Sequence, residues 1–208
     1  MTEENPSRRA FIATGAAAVA LTAVSSPIAQ SKPLVLTPQC VDDDDTPSNI
    51  EGPYFKRNSP ERTNLRTAGV TGVVLSLTGF VYTLKCQPIS HALLDFWQAD
   101  DKGAYDNSSP AYKMRGHQFT NASGAYVLET VVPKDYPGRT PHIHVKVQAP
   151  HGPILTTQLF FPDNLKAYGM NVAALNRRDR FIDRDCEVAL GPLVGNRYTA
   201  KFDFVIDT

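Results

Sequence analysis

Residues 136–144 read Tyr-Pro-Gly-Arg-Thr-Pro-His-Ile-His and end in two histidines, His142 and His144, that are two positions apart. The run over residues 142–147 alternates polar and apolar side chains. In an extended strand, residues i and i+2 share a face, so both imidazoles point to one side of the strand and the apolar residues to the other. Two histidines on one face are half of a metal site, because neutral imidazole is a common metal ligand. The alternative is a surface strand with two solvated histidines.

Short runs of β-forming residues lie on both sides of this stretch. They cover residues 73–82, 92–98, 116–120, 125–132, 142–148, 154–161 and 198–206. The turn residues at 121–124, Asn-Ala-Ser-Gly, predict a hairpin between the third and fourth runs. Seven or eight short strands with turns between them predict an all-β fold, an antiparallel β-sandwich core whose long loops carry the metal site. A short peripheral helix is predicted near residues 170–176.

The charge balance argues against one class of function. The 208 residues include 21 basic and 21 acidic side chains, so the formal net charge is zero. A protein that binds nucleic acid through phosphate contacts should show a basic excess, so we expect no nucleic-acid partner. The hydrophobic fraction of 42% is ordinary for a globular protein.

The first 30 residues have the pattern of an export signal. Residues 7–12 read Ser-Arg-Arg-Ala-Phe-Ile and precede a run of small apolar residues at 13–24. This predicts a twin-arginine-type signal peptide over 1–30, an extended linker over 31–47 and one domain over 48–208. The protein is then exported, periplasmic or extracellular, with no stable membrane association after signal removal. The alternative is an uncleaved anchor, although the run is short for a membrane span.

The chain has three cysteines, Cys40, Cys86 and Cys186. An exported protein can form disulfides. Because three is an odd number, at most one pair forms within the chain and one thiol stays free. Of the possible pairs we favour Cys40–Cys86.

Two tyrosines are candidates to complete a site with the histidine pair. Tyr136 lies six residues before His142, and Tyr105 follows a predicted strand and a glycine-containing turn. Phenolate is a hard anionic donor, and a highly charged metal favours this deprotonated form. Two phenolates and two imidazoles suit ferric iron better than zinc. On spacing alone these are two of eight tyrosines, and the alternative is that both pack with satisfied hydroxyls.

Ordered blocks over residues 48–162 resemble the intradiol ring-cleavage dioxygenases, non-haem ferric enzymes that open catechols between the two hydroxylated carbons. The blocks are 51–54 (Glu-Gly-Pro-Tyr), 77–81 (Leu-Thr-Gly-Phe-Val), 94–96 (Leu-Asp-Phe), 103–105 (Gly-Ala-Tyr), 124–126 (Gly-Ala-Tyr), 130–133 (Thr-Val-Val-Pro), 136–137 (Tyr-Pro), 139–144 (Arg-Thr-Pro-His-Ile-His) and 155–161 (Leu-Thr-Thr-Gln-Leu-Phe-Phe). So many blocks in the right order form a specific signal, unlike a lone His-x-His pair.

The resemblance implies a set of metal ligands. Tyr105, Tyr136, His142 and His144 would hold one Fe(III) per chain. Tyr136 would also be catalytic, as the ligand that swings away when the substrate binds.

The resemblance also implies roles for five further residues. Arg139 would face the substrate ring and stabilise charge that develops there, which suits a fixed guanidinium in a dry site. Gln158 would lie just behind the metal ligands or near the oxygen pocket. The substrate pocket would be lined by Gly52, Pro53 and Tyr54.

The chain departs from the family pattern in three ways. Cys86 stands where the pattern prefers glycine or serine. Only Pro137 and Gly138 separate Tyr136 from Arg139, which implies a shorter cover and a more open pocket. The chain also has no room for the helical N-terminal domain of the catechol enzymes. The substrate class therefore stays open.

The implied activity is cleavage of catechol-type rings with O2 to muconate-type diacids, and the implied partners are a small catechol-type substrate and O2. Whether copies of the chain form a homo-oligomer is left open. One alternative is a non-enzymatic exported β-sandwich binding module. Another is a copper or zinc enzyme that uses His142, His144 and one tyrosine. The distance of Tyr105 and Tyr136 from the histidine pair discriminates between these readings.

Overall fold

The computed structural model describes residues 40 and 44–208. The predicted signal peptide, residues 1–30, lies outside the described residues, as does most of the predicted linker. Within the part of the chain that is described, no helix is both long and apolar enough to cross a membrane.

Within residues 44–208, nine strands form two sheets. In chain order they are β1 (Val74–Thr83), β2 (Leu93–Gln98), β3 (Arg115–Phe119), β4 (Ala125–Val131), β5 (His142–Gln148), β6 (Ile154–Phe160), β7 (Ala189–Leu190), β8 (Arg197–Lys201) and β9 (Phe204–Ile206). The first sheet has the order β4-β1-β8-β7, with β9 also paired to β1, and the second has the order β3-β2-β5-β6. A short helix, α1 (Val172–Asn176), and a 3-10 turn (Arg184–Cys186) follow β6.

The predicted all-β sandwich with a short peripheral helix is confirmed. Two strand pairs depart from the antiparallel prediction, because β8 and β9 both run parallel to β1. Parallel pairing requires a long crossover connection. The chain between β1 and β8 supplies one, since it first builds the whole second sheet.

The predicted hairpin between the third and fourth strands is wrong. The turn forms as expected, because the Asn121 side-chain oxygen accepts hydrogen bonds from the backbone N–H groups of Ser123 and Ala125. However, β3 pairs with β2 and β4 pairs with β1, so the turn carries the chain from one sheet to the other. The turn residues fix a local bend, whereas the pairing is decided by the partners against which each strand buries its apolar face.

The alternation in β5 separates core from site. Ile143, Val145 and Val147 are fully buried in the apolar core shared by the two sheets. His142 and His144 point to the opposite face, which is the outer face of the second sheet. Both histidines are also buried, at 2% and 1% exposure. Something other than the sandwich core must therefore cover them.

A transverse row of four side chains crosses this outer face. Trp97 on β2 lies opposite both Arg115 on β3 and His144 on β5, and His144 lies opposite Gln158 on β6. None of the four residues is more than 1% exposed. A polar row on an outer face is buried only when another part of the chain lies over it.

The cover is an extended stretch, residues 46–62, which we call the covering segment. The Asn49 backbone N–H donates to the Thr156 carbonyl on β6 at 2.8 Å, and the His117 N–H on β3 donates to the Pro60 carbonyl at 3.1 Å. The covering segment therefore crosses the whole second sheet, from one edge strand to the other.

The predicted disulfide is confirmed. Cys40 and Cys86 are bonded, and Cys86 lies in the loop that follows β1. Cys186 is free and buried, beside Thr157 of β6.

Candidate metal centre

Four side chains from three parts of the chain converge at one end of β5. His142 and His144 are the first and third residues of that strand, and their Nε2 atoms lie 3.1 Å apart. The hydroxyl of Tyr105, from the loop after β2, lies 3.4 Å from His142 Nε2. The hydroxyl of Tyr136, from the loop before β5, lies 3.5 Å from the same atom. All four predicted ligands are thus brought together.

The separations of these donor atoms fit a single metal ion. Nitrogen and oxygen ligands lie about 2.1 Å from a transition metal, so neighbouring ligands around one ion are roughly 3.0–3.6 Å apart. The three measured separations, 3.1, 3.4 and 3.5 Å, fall in this range. His142 is also in the required tautomer: its Nδ1 lies 2.7 Å from the Thr140 carbonyl, which can only accept, so Nε2 keeps its lone pair.

Burial keeps both imidazoles uncharged. It lowers the pKa of His142 to about 3, with a further contribution from the nearby Arg139. Burial also lowers the pKa of His144 well below its usual value, and His142 and Arg139 add to this effect. Neutral imidazoles can donate a lone pair to a metal, whereas protonated ones cannot.

The two phenols show the opposite tendency. Burial raises the pKa of Tyr105, and the neighbouring Tyr136 raises it further. Burial also raises the pKa of Tyr136, although Arg139 offsets part of this increase. Without a cation both hydroxyls therefore keep their protons, and a bound cation would supply the charge that favours their release.

The immediate surroundings hold His144 in place. The Trp97 ring stacks on its imidazole, with centroids 4.8 Å apart and planes 5° from parallel. Trp97 is buried on the same outer face as His144, outside the core cluster between the sheets, and forms a wall of the site. Gly52 closes the other side: its φ is +71°, and a Cβ at this position would lie 3.4 Å from His144 Cε1. Glycine suits this position because of both its backbone conformation and the tight contact.

The three predicted pocket residues are placed differently from one another. Gly52 contacts the site as described. Tyr54 stacks on Tyr105 with centroids 4.5 Å apart, and its edge meets Tyr136 at 6.2 Å. Pro53 is exposed. Tyr54 is half-buried, so it offers an aromatic surface next to both tyrosine candidates.

Arg139 lies directly beside the convergence point. Its Nη1 donates to the Tyr136 hydroxyl at 3.3 Å, and its Nη2 donates to Gln158 Oε1. Gln158 is fully buried, and its Nε2 donates to the Ile50 carbonyl of the covering segment at 2.8 Å. Consecutive hydrogen bonds therefore connect Tyr136 with Arg139 and Gln158, the two other side chains that were predicted to be catalytic.

Comparison with known proteins identifies the family. A family model described as "Dioxygenase" (Dioxygenase_C) matches residues 50–208, well over half of the chain. The chain belongs to this family, the intradiol ring-cleavage dioxygenases. The resemblance drawn from the sequence blocks is thereby confirmed at the level of the family.

Three relatives of the family illustrate the likeness. The dioxygenase domain of a dioxygenase carbohydrate-binding protein fusion from Streptomyces sp. SirexAA-E is 47% identical, with a TM-score of 0.71 over 79% of this chain and 99% of that one. An intradiol ring-cleavage dioxygenase from Tetranychus urticae is 26% identical, with a TM-score of 0.68 over 78% and 94%. Catechol 1,2-dioxygenase 2 of Acinetobacter lwoffii is 32% identical over 138 residues, 55% of this chain and 50% of that protein. The chain thus spans about half the length of this curated relative.

Sequence reasoning missed two buried charged residues at the site. Asp179, after α1, accepts a hydrogen bond from Arg139 Nε at 2.9 Å. Arg115 is 1% exposed, and its guanidinium lies 6.0 Å from the Tyr105 ring centroid. Its Nε donates to the Asp106 carbonyl at 2.8 Å, which ties the Tyr105 loop to β3. Asp179 stands in an Arg-Arg-Asp-Arg run that looks like a solvated turn, and no feature of a single sequence marks it as buried.

Proposed function

We propose that the chain is a non-haem ferric intradiol dioxygenase, which cleaves catechol-type rings between the two hydroxylated carbons with O2 and yields muconate-type diacids. The observation that carries this proposal is the convergence of two imidazole nitrogens and two phenol oxygens on one point. Hard phenolate donors beside imidazoles favour Fe(III) over zinc or copper. When bound, Fe(III) would act as a Lewis acid and as a template for the catechol and O2.

The protein groups divide the remaining work. Tyr105, His142 and His144 hold fixed positions on rigid elements or tied loops. The Tyr136 hydroxyl accepts a hydrogen bond from Arg139 Nη1. When a bound cation has displaced the Tyr136 proton, this donor would stabilise the phenolate until the phenolate takes a proton from a catechol hydroxyl. The Arg139 side chain is only 10% exposed, so its charge acts at close range in a largely dry site. We propose that this charge stabilises negative charge that develops on the substrate ring.

We propose that the site accepts substituted catechols. The loop over the site is a two-residue turn, in which the Arg139 N–H donates to the Tyr136 carbonyl at 3.0 Å. Pro137 and Gly138 at its tip are exposed, and a Cβ on Gly138 would meet nothing within 4 Å. A short cover leaves room for ring substituents, while Tyr54 offers a surface for stacking.

We propose that the enzyme works outside the cytoplasm. The Arg-Arg pair and apolar run of the N-terminus support export, and the Cys40–Cys86 disulfide is typical of an oxidising compartment. Replacing both arginines, Arg8→Lys with Arg9→Lys, should retain the protein inside a host that has the twin-arginine route. Undiminished export of this variant would contradict the proposal.

The decisive experiment is a visible spectrum of the purified mature protein with metal analysis, followed by anaerobic addition of catechol. We expect about one iron per chain, a red-brown tyrosinate-to-iron absorption, and a shift of that absorption when catechol is added. In air, a panel of substituted catechols should then yield ring-opened diacids.

Matched tyrosine variants make the experiment specific. Tyr105→Phe should bleach or shift the absorption, whereas Tyr82→Phe, which changes a buried tyrosine of β1 outside the site, should leave it unchanged. A protein that stays colourless after reconstitution with ferric iron contradicts the proposal. Stoichiometric zinc or copper would favour the other-metal alternative, and no bound metal would favour a binding module.

A further inference from the structure

A buried carboxylate stands behind Arg139, on the side away from the predicted ligands. The Asp179 side chain is 0% exposed. Its Oδ2 accepts from Arg139 Nε at 2.9 Å and from the Thr140 backbone N–H at 2.8 Å. Its Oδ1 accepts from the Phe181 N–H at 2.9 Å. Both carboxylate oxygens are therefore engaged, and the guanidinium is the one charged group among these donors.

The remaining donors of Arg139 point towards the site. Nη2 donates to Gln158 Oε1 and Nη1 donates to the Tyr136 hydroxyl. Gln158 lies on β6 and Asp179 follows α1, and both are almost fully buried, so they fix the guanidinium at two corners. Arginine has a long side chain that loses considerable rotamer freedom when it is held. With Nε and Nη2 engaged, the planar group has one orientation left, and that orientation aims Nη1 at Tyr136.

The same region also reaches the histidine pair. The Thr140 hydroxyl donates to Asn176 Oδ1 on α1, and the Thr140 N–H donates to Asp179. The Thr140 carbonyl accepts the His142 Nδ1–H that sets the imidazole tautomer. Residues 176–179 thus clamp the two positions, 139 and 140, that lead into β5.

A role in stability alone does not explain this arrangement. Burying two charges costs a large part of the energy that their attraction returns, so a buried ion pair is weak evidence for stabilisation. The two backbone N–H groups could be satisfied by a neutral acceptor. The negative charge is needed only for the guanidinium.

We propose that Asp179 is a positioning residue, which acts on the reaction through Arg139 and fixes the direction of its guanidinium at the metal centre. The inference rests on the proposed function and adds to it a residue outside the sequence blocks of the family resemblance. Asp179 hydrogen-bonds to none of the four predicted ligand side chains, so the effect of its charge on kcat must pass through Arg139.

The test uses Asp179→Asn in the iron-loaded, mature protein, which removes the charge and keeps one acceptor oxygen. We expect kcat to fall about 10–100-fold, the size of effect seen when residues that orient metal-site groups are lost, with KM changed far less. The matched control is Asp185→Asn, which removes an exposed carboxylate from the 3-10 turn and should leave kcat unchanged. If Asp179→Asn does not fold, Asp179→Glu keeps the charge and should retain an intermediate kcat.

A double-mutant cycle separates positioning from general damage. In an Arg139→Gln background, Asp179→Asn should lower kcat no further. An equal loss in both backgrounds, or a wild-type kcat in the single variant, overturns the inference.

An NMR readout is independent of turnover: the Arg139 Nε–H signal should be protected from exchange in the wild type and lose this protection in Asp179→Asn. A wild type with that protection but no iron or ring cleavage would contradict the proposed function and leave the positioning contact standing. An unprotected wild-type signal overturns the inference itself.

Discussion

The two sheets present very different outer faces. On the first sheet, Val127, Thr78 and Lys201 lie side by side across β4, β1 and β8, and all three are exposed. On the second sheet, the row that contains Trp97 and His144 is at most 1% exposed. In both sheets, successive side chains alternate between an outer face and an inner face, and the two inner faces pack against the same core.

The difference shows where the fold accepts an energetic cost. An outer face that remains in water can carry polar side chains freely. A covered face must supply hydrogen bonds for each polar atom it buries, because an unpaired buried group costs about 1–3 kcal/mol. The outer face of the second sheet buries two histidines, an arginine and a glutamine beneath the covering segment, namely His142, His144, Arg115 and Gln158. Stability alone does not explain such a face, whereas the proposed metal site accounts for it.

The strongest test of this contrast is removal of a predicted ligand from the covered face. His144→Ala should weaken iron retention more than about 100-fold, since even residues that only orient metal ligands contribute roughly 10–100-fold. Metal analysis after dialysis measures the effect, with His151→Ala, a change of an exposed histidine, as the control. Full iron occupancy in His144→Ala would show that the covered face does not hold the metal.

A substitution on the other side of the same strand should act on stability instead. Ile143 is fully buried in the core between the sheets. Ile143→Ala should lower the free energy of unfolding by about 2–5 kcal/mol, because it leaves a cavity. Denaturant unfolding measures the loss. The folded fraction should still bind iron at wild-type stoichiometry, and a selective loss of iron would mean that the two faces of β5 are not separable.

The buried histidines should make the metal-free protein sensitive to acid. The pKa of His142 is about 3 in the folded state, against roughly 6.5 in an unfolded chain. The folded state therefore binds fewer protons, and stability is lost as the pH falls from about 6.5 towards 3. Between about pH 7.5 and pH 5 this histidine should account for roughly 2 kcal/mol. Urea unfolding of His142→Asn should show a weaker pH dependence than the wild type, whereas His151→Asn should not.

The smallest effect is expected on the open face. Val127→Thr keeps a β-branched side chain at a position that is 50% exposed. The free energy of unfolding should change by less than about 0.5 kcal/mol, and iron content should not change. A larger loss in denaturant unfolding would indicate that this face is covered by another molecule in solution.

Much of this arrangement could be predicted from the sequence. The alternation in residues 142–147 predicted the division of β5 into a core face and a site face, because side-chain direction in a strand is a local property. The four candidate ligands were identified by resemblance, and the structure brings them together. The disulfide pairing was also predicted correctly.

The errors and omissions concern long-range partners. The turn at residues 121–124 was recognised, but the sheets to which its flanking strands belong were not, since pairing depends on the whole fold. Asp179 lies 40 positions from Arg139, within a run of charged residues that resembles a solvated loop. Only the folded structure shows that Asp179 is the one buried residue of the charged run 177–180.

The covering segment has a consequence for the order of events during synthesis. Thr46, at its start, exchanges hydrogen bonds with Val205 of β9, 159 positions later. The covering segment is therefore synthesised long before β9, the strand to which its first residue is hydrogen-bonded. The start of the covering segment can be anchored only after β9 has been made, whereas its contacts with β3 and β6 can form earlier. Anchoring of the start of the cover is thus a late step in the folding of the chain.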